Sequence, residues 1–254
     1  MKFINKKSFY TILGIFLIFV LWYVVSEIVG EKKLIFPGPL ETFKYLLDLL
    51  QLKSTYLSIL NSFYKMLLGY MMSIVLALVF GIISGISEKV ENLLLPLMSC
   101  LKAIPTASVL FLFIVLSGFD YAPIYVVFLI SFPILYESFV GGIKNIPTNI
   151  QDSLKLDGGN SLKCVFEGKL PLAMNYILVG IASSFALAFK IEIMSEVLSG
   201  STHYGIGNSI KTLQATQTDM TGIFAWSLIA IIFVLLITFI TKSIKKFLTK
   251  HLNG

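Results

Sequence analysis

The sequence predicts an all-α polytopic membrane protein with six transmembrane helices. Three observations carry this: six apolar runs of spanning length, a scarcity of charge, and an uneven spread of lysine between the loops. A hydrocarbon core about 30 Å thick takes roughly 20 apolar residues as a helix. Stretches of that length run approximately from Phe9 to Val29, Met66 to Ile86, Leu93 to Leu116, Pro123 to Ile143, Leu172 to Leu198 and Thr221 to Ile240. Hydrophobic residues make up 56% of the 254 and charged residues 13%, where soluble domains carry about 25% charged. A water-soluble fold of this size has no way to hide that much apolar surface. The first stretch has a basic flank, but it is longer than a signal peptide's apolar region and no small-residue cleavage site follows it, so a retained helix is expected.

Orientation follows from lysine, which supplies every basic residue because the chain has no arginine. With the N-terminus inside, Lys2, Lys6, Lys7, Lys89, Lys102, Lys144, Lys155, Lys163, Lys169, Lys242, Lys245, Lys246 and Lys250 fall on the inner side, and Lys32, Lys33, Lys44, Lys53 and Lys211 on the outer side. Thirteen against five supports a membrane protein with both termini on the inner, cytoplasmic side, as the positive-inside rule expects. Lys65 and Lys190 lie at or within helices.

The chain reads as one transmembrane domain over 1–254 with two long connections. In the outer segment 30–65, Phe36-Pro37-Gly38-Pro39 is a turn, with Pro39 suited to a helix start. Leu40, Phe43, Leu46, Leu47 and Leu50 follow at helical spacing. They predict an amphipathic helix, either on the outer membrane surface or packed on the outer loops. In the inner connection 144–171, Thr148 and Gln151 have capping-box spacing after Pro147, so a short helix starts near Thr148. Asp157-Gly158-Gly159-Asn160 breaks it, and Asn160 or Ser161 caps a second short helix running to about Glu167. Ile150, Leu154, Leu162, Val165 and Phe166 leave apolar knobs there, to be packed on this chain or docked in a groove of another protein.

Several chemistries find no support. Lysines lie in short tracts between apolar runs rather than on a basic module with aromatic platforms, so nucleic acid is not an expected partner. Cys100 and Cys164 are far apart in sequence, and neither His203 nor His251 has ligand spacing, so no metal site is expected and the thiols read as free. The sequence has no G-x-x-x-x-G-K-[ST] phosphate loop, nucleophile elbow or H-E-x-x-H, so no catalytic residue is assigned.

The inner connection resembles the cytoplasmic signature of the membrane subunits of bacterial binding-protein-dependent ABC importers: Glu-Ala-Ala, three residues, Gly, nine residues, an aliphatic residue, any residue, Leu-Pro. Here that spacing gives Asp152-Ser153-Leu154, Gly158, Gly168 and Leu170-Pro171. Asp stands for Glu, Ser and Leu for the alanines, and Gly168 for the aliphatic residue. The Phe-Pro-Gly-Pro turn and the runs NSFYKMLLGYMMSIVLALVFGIISG, LKAIPTASVLFLFIVLSGF and SEVLSGSTHYGIGNSI resemble the nitrate, sulfonate and taurine branch of that family. The resemblance implies a type I ABC importer permease architecture, with a second copy of the permease around a translocation path. It implies ABC ATPase subunits on the cytoplasmic face, which use ATP and Mg, and an extracytoplasmic substrate-binding protein outside. No cofactor is then bound by this chain. Asp152, Ser153, Leu154, Gly158, Gly159, Leu162, Phe166, Leu170 and Pro171 become the ATPase-coupling residues. The other class in view, a secondary transporter or channel without an ATPase, calls for an inverted repeat with paired broken helices, and no convincing repeat is present.

Charges inside spans are costly and mark functional candidates. Glu192, Ser195 and Glu196 share one stripe of the fifth span, extended inward by Ala188 and Ser184; Lys190 points away from it. Two readings stand: the stripe lines the translocation path or its outer gate, or its glutamates pair with other helices. Glu137 reads as a structural partner for a lysine. Gly69, Gly81 and Gly85 in the second span read as helix-packing positions. An acidic path repels anions, which keeps neutral or cationic heterocycles such as thiamine precursors beside sulfonate, nitrate and taurine as substrates.

Overall fold

The computed structural model describes residues 6–29, 36–156, 161, 163–200, 203–216 and 220–252. The first helix, α1 (Lys6–Ile28), stands at the edge of the bundle, with only 6% of its apolar span buried by the rest of the chain, so its apolar surface needs lipid. Aromatic contacts hold it: the Trp22 indole donates to Pro37 O at 3.0 Å and lies 6.5 Å from the Phe43 ring and 6.1 Å from Phe224.

Helix α2 (Pro39–Gln51) starts at Pro39 as expected, after an extended Gly38. Leu46 and Leu49 are buried, whereas Leu40, Phe43, Leu47 and Leu50 stay exposed. A single extended residue, Leu52, separates it from α3 (Lys53–Ile86). The Thr55 hydroxyl closes that joint by donating to Leu49 O at 2.6 Å. Helix α3 therefore begins well before the apolar run from Met66, and the amphipathic segment ends in helix rather than loop.

Helix α6 (Ala122–Lys144) is the centre, with 67% of its span buried. It lies against α3 along a seam of small residues. A side chain at Gly69 would collide with Ile124 O, and one at Gly85 would come within 2.9 Å of Ile143 Cβ. The packing reading of these glycines is the observed one. Along this seam Gly69 meets Ile124, Ser73 donates to Phe128 O, and Gly85 meets Ile143. Residue numbers rise together, so α3 and α6 are parallel.

The chain between two parallel helices must travel back, here over the rise from Gly85 to Gly69, about 24 Å at 1.5 Å per residue. The expected third span makes that return in two pieces, α4 (Glu88–Ala103) and α5 (Thr106–Ser117), bent by 94°. Pro105 is the cause: it brings no amide and pushes Ile104 into the extended conformation, where its φ and ψ are −69° and 127°. A largely apolar run is thus two helices set at nearly a right angle. Gly118, with φ +83°, makes the turn into α6.

Helix α8 (Leu170–Ser199) runs antiparallel to both. Gly142 packs on Ile177 while Gly180 packs on Ser138, and Tyr70 bonds Ser184 while Ser62 bonds Glu196. Helix α9 (Ile206–Thr216) is short, and α10 (Met220–Leu252) returns beside α8, with Phe189 and Phe233 stacked at 6.0 Å. Among the described residues, five helices are long and apolar enough to cross a membrane, and the bent pair counted as one span makes six.

Candidate coupling segment and membrane charges

At one end of the bundle α6 stops at Lys144, and α7 (Thr148–Leu156) begins at the expected residue. The capping box does not form. Pro147 takes the cap position and has no amide for Gln151 to engage. The Gln151 amide instead donates to Ile146 O at 2.8 Å and Lys144 O at 3.3 Å, tying α7 to the end of α6. The expected second short helix is not separate. Ser161 does cap it, its Oγ accepting the Cys164 amide at 3.3 Å, but the helix runs on into α8. Cys164–Lys169 forms a wider helical turn in which the Leu170 amide bonds Val165 O, five residues back, just before Pro171.

Leu154 lies over this turn. A Cβ on Gly168 would stand 2.9 Å from Leu154 Cδ2, and the Cys164 thiol donates to Leu154 O at 3.5 Å. The two departures from the family signature, a large residue for alanine and glycine for an aliphatic residue, therefore complement each other. Asp152, Ser153 and Pro171 are exposed, Leu170 is half-buried, and Phe166 is 52% exposed. Gly158, Gly159 and Leu162, with the Asp157-to-Asn160 break, lie outside the described residues.

Toward the other end, Ser184, Ala188, Glu192, Ser195 and Glu196 do share one face of α8, and all five are buried within the single chain rather than turned to open space. Of the two readings left open for Glu196, pairing is the one on display. Ser62 Oγ donates to Glu196 Oε2 at 2.6 Å and accepts the Ile206 amide at 2.9 Å. The Gly207 amide donates to the same carboxylate oxygen at 3.1 Å, and Lys65 Nζ lies 3.4 Å from Oε1. The carboxylate thus sits at the N-terminus of α9, where unpaired amides and the helix dipole favour negative charge. Ser184 is engaged too, its hydroxyl 2.8 Å from that of Tyr70. Glu192 differs: both its oxygens, and the Ser195 hydroxyl, have no hydrogen-bond partner among the described residues.

Sequence reasoning missed Ser62, Lys65 and the glycines beside Glu196. Their signal was present. Ser62 and Lys65 are three apart on one polar face of α3, and Gly205 and Gly207 flank the start of α9, where a Cβ at Gly205 would lie 2.8 Å from the Glu196 carboxyl carbon. Glu137 does pair with a lysine, Lys102, and Glu91 pairs with Lys144. His203 stands 3.0 Å from Asp120, linking the loop before α9 to the turn before α6.

Membrane-length apolar helices, with α3 and α6 parallel, the short helix α7 at one end of the bundle and the capped helix α9 toward the other, define a membrane-spanning domain. The chain belongs to the family described as binding-protein-dependent transport system inner membrane component, whose profile matches residues 77–254. It is 25% identical to a Bacillus subtilis (strain 168) permease protein named for aliphatic sulfonates transport, over 80% of this chain and 73% of that one. It is 27% identical to the nitrate import permease protein of Leptolyngbya laminosa, over 58% of this chain and 52% of that one. Its fold is similar to a chain of the MetNI methionine ABC transporter in an inward-facing conformation, with a TM-score of 0.66 at 15% identity, covering 74% of this chain and 93% of that one.

Proposed function

We propose that this permease forms, with a second copy of itself, the translocation path of an ATP-driven importer. In this reading the α7 end faces the cytoplasm, as the lysine asymmetry favours. There the segment 144–171 receives the stroke of separate ATPase subunits, which bind ATP and Mg. An extracytoplasmic binding protein delivers solute at the α9 end. The observation that carries the reading is the form of the coupling segment: α7 is tethered at Gln151 and Leu154, yet Asp152, Ser153 and Phe166 are left exposed beyond the bundle. An exposed aromatic on a charged, tethered segment fits a groove on a partner. The solute is a small one such as a sulfonate, nitrate, taurine or a thiamine-precursor-like heterocycle.

The test is solute uptake by the permease reconstituted with its ATPase and binding protein. Gly158→Val places a β-branched residue where the sequence predicts a helix break and is expected to abolish ATP-driven uptake while the complex still assembles. Uptake at the level of the unaltered protein contradicts the coupling role.

A further inference from the structure

The face of α8 opposite the buried glutamates presents Ser183, Leu187, Lys190 and Met194, all exposed. Lys190, Ile193 and Met194 line one wall of a groove of about 410 Å³, and Ala230, Ile231 and Val234 of α10 line the other. These α10 residues sit in the middle of its apolar span, Met220–Ser243. The nearer end of that span is about 15 Å away at 1.5 Å per residue, farther than a lysine stem reaches by snorkelling. Within the bundle, acids pair with Lys65, Lys102, Lys144 and His203; none of the described acids pairs with Lys190. An ammonium left in hydrocarbon at this depth is among the costliest groups on insertion scales. That cost disappears if the face meets water and an anion instead of lipid.

We propose that the Lys190 face of α8 lines the aqueous path between two copies of the permease, and that Lys190 selects small oxyanions, of sulfonate or nitrate chemistry, as the solute. The proposal rests on the importer reading above and names its substrate class. The geometry reverses the charge argument made from sequence. Both glutamates are enclosed in the protomer behind α8, so the open face carries a cation, doubled across a two-fold axis. A low-dielectric groove lined by one sign of charge concentrates the opposite ion. Cationic and neutral heterocycles gain nothing there.

The test reads local charge without needing the natural solute. In the complete transporter carrying Cys100→Ser and Cys164→Ser, Met194→Cys places a thiol one turn from Lys190. Its reaction rates with 2-sulfonatoethyl and 2-trimethylammonioethyl methanethiosulfonate are measured, each normalised to glutathione. The anionic reagent is expected to react about tenfold faster, with the preference kept in Lys190→Arg and inverted in Lys190→Glu. Ser183→Cys serves as a second reporter if Met194→Cys assembles poorly. A thiol silent to both reagents means a lipid-facing helix and overturns the proposal, as does a preference indifferent to Lys190→Glu. Vesicles of phosphatidylcholine alone and with phosphatidylglycerol separate the two sources of anion. An unchanged preference supports a solute site. One that vanishes when the anionic lipid is added makes Lys190 a headgroup anchor and overturns it. ATP-driven uptake in the same vesicles reads the importer role separately: the expected labelling without it defeats that reading and leaves the charged path standing.

Discussion

At the α9 end, one carboxylate, Glu196, is enclosed and engaged by Ser62, Lys65 and the Gly207 amide. At the α7 end, Phe166 is 52% exposed, and the short helix beside it is fastened through one glutamine and one leucine. The first region satisfies the Glu196 carboxylate inside the chain, so it sets the level at which α9 meets α3 and α8. The second leaves Phe166 exposed, and in the proposed reading that face is where a separate subunit docks. Stability and coupling are therefore expected to come apart under mutation, because they rest on different ends.

Removing the acid that organises the α9 end gives the largest effect on stability. Glu196→Ala leaves the Lys65 ammonium buried and α9 uncapped, and is expected to cost about 3–5 kcal/mol, seen as the steepest fall in Tm in detergent. Ser62→Ala comes next. It takes one bond from the carboxylate and one from the Ile206 amide, an expected loss of about 1–3 kcal/mol, read in the same melts. At the α7 end, Leu154→Ala strips a half-buried side chain from Gly168, with an expected loss of about 1 kcal/mol. A Tm drop for Leu154→Ala as large as for Glu196→Ala would erase the contrast.

How much of this was legible follows residue by residue. The apolar runs, the start of α2 at Pro39 and the start of α7 at Thr148 were readable because hydrophobic length, proline and turn chemistry act locally. The split at Ile104-Pro105 was present as a single proline, but a run of apolar residues conceals a right-angle bend, since composition carries no direction. For α8, periodicity placed Glu192, Ser195 and Glu196 on one face and Lys190 on another. It could not say which face the neighbouring helices would cover. That depends on where α3 and α9 pack, through contacts such as Ser62 to Glu196 that span 134 residues of sequence. The continuation of the second short helix into α8 was hidden for a related reason: Pro171 reads as a boundary, yet a widened turn accommodates it.

The central claim is that the segment 144–171 receives a separate ATPase. It is tested most directly by purifying the tagged permease in mild detergent, with and without Phe166→Glu, and measuring the ATPase subunit retained. The unaltered permease is expected to carry the ATPase and the variant to lose it at an unchanged Tm. Equal retention by both, or an unaltered permease that never brings an ATPase with it, contradicts the account.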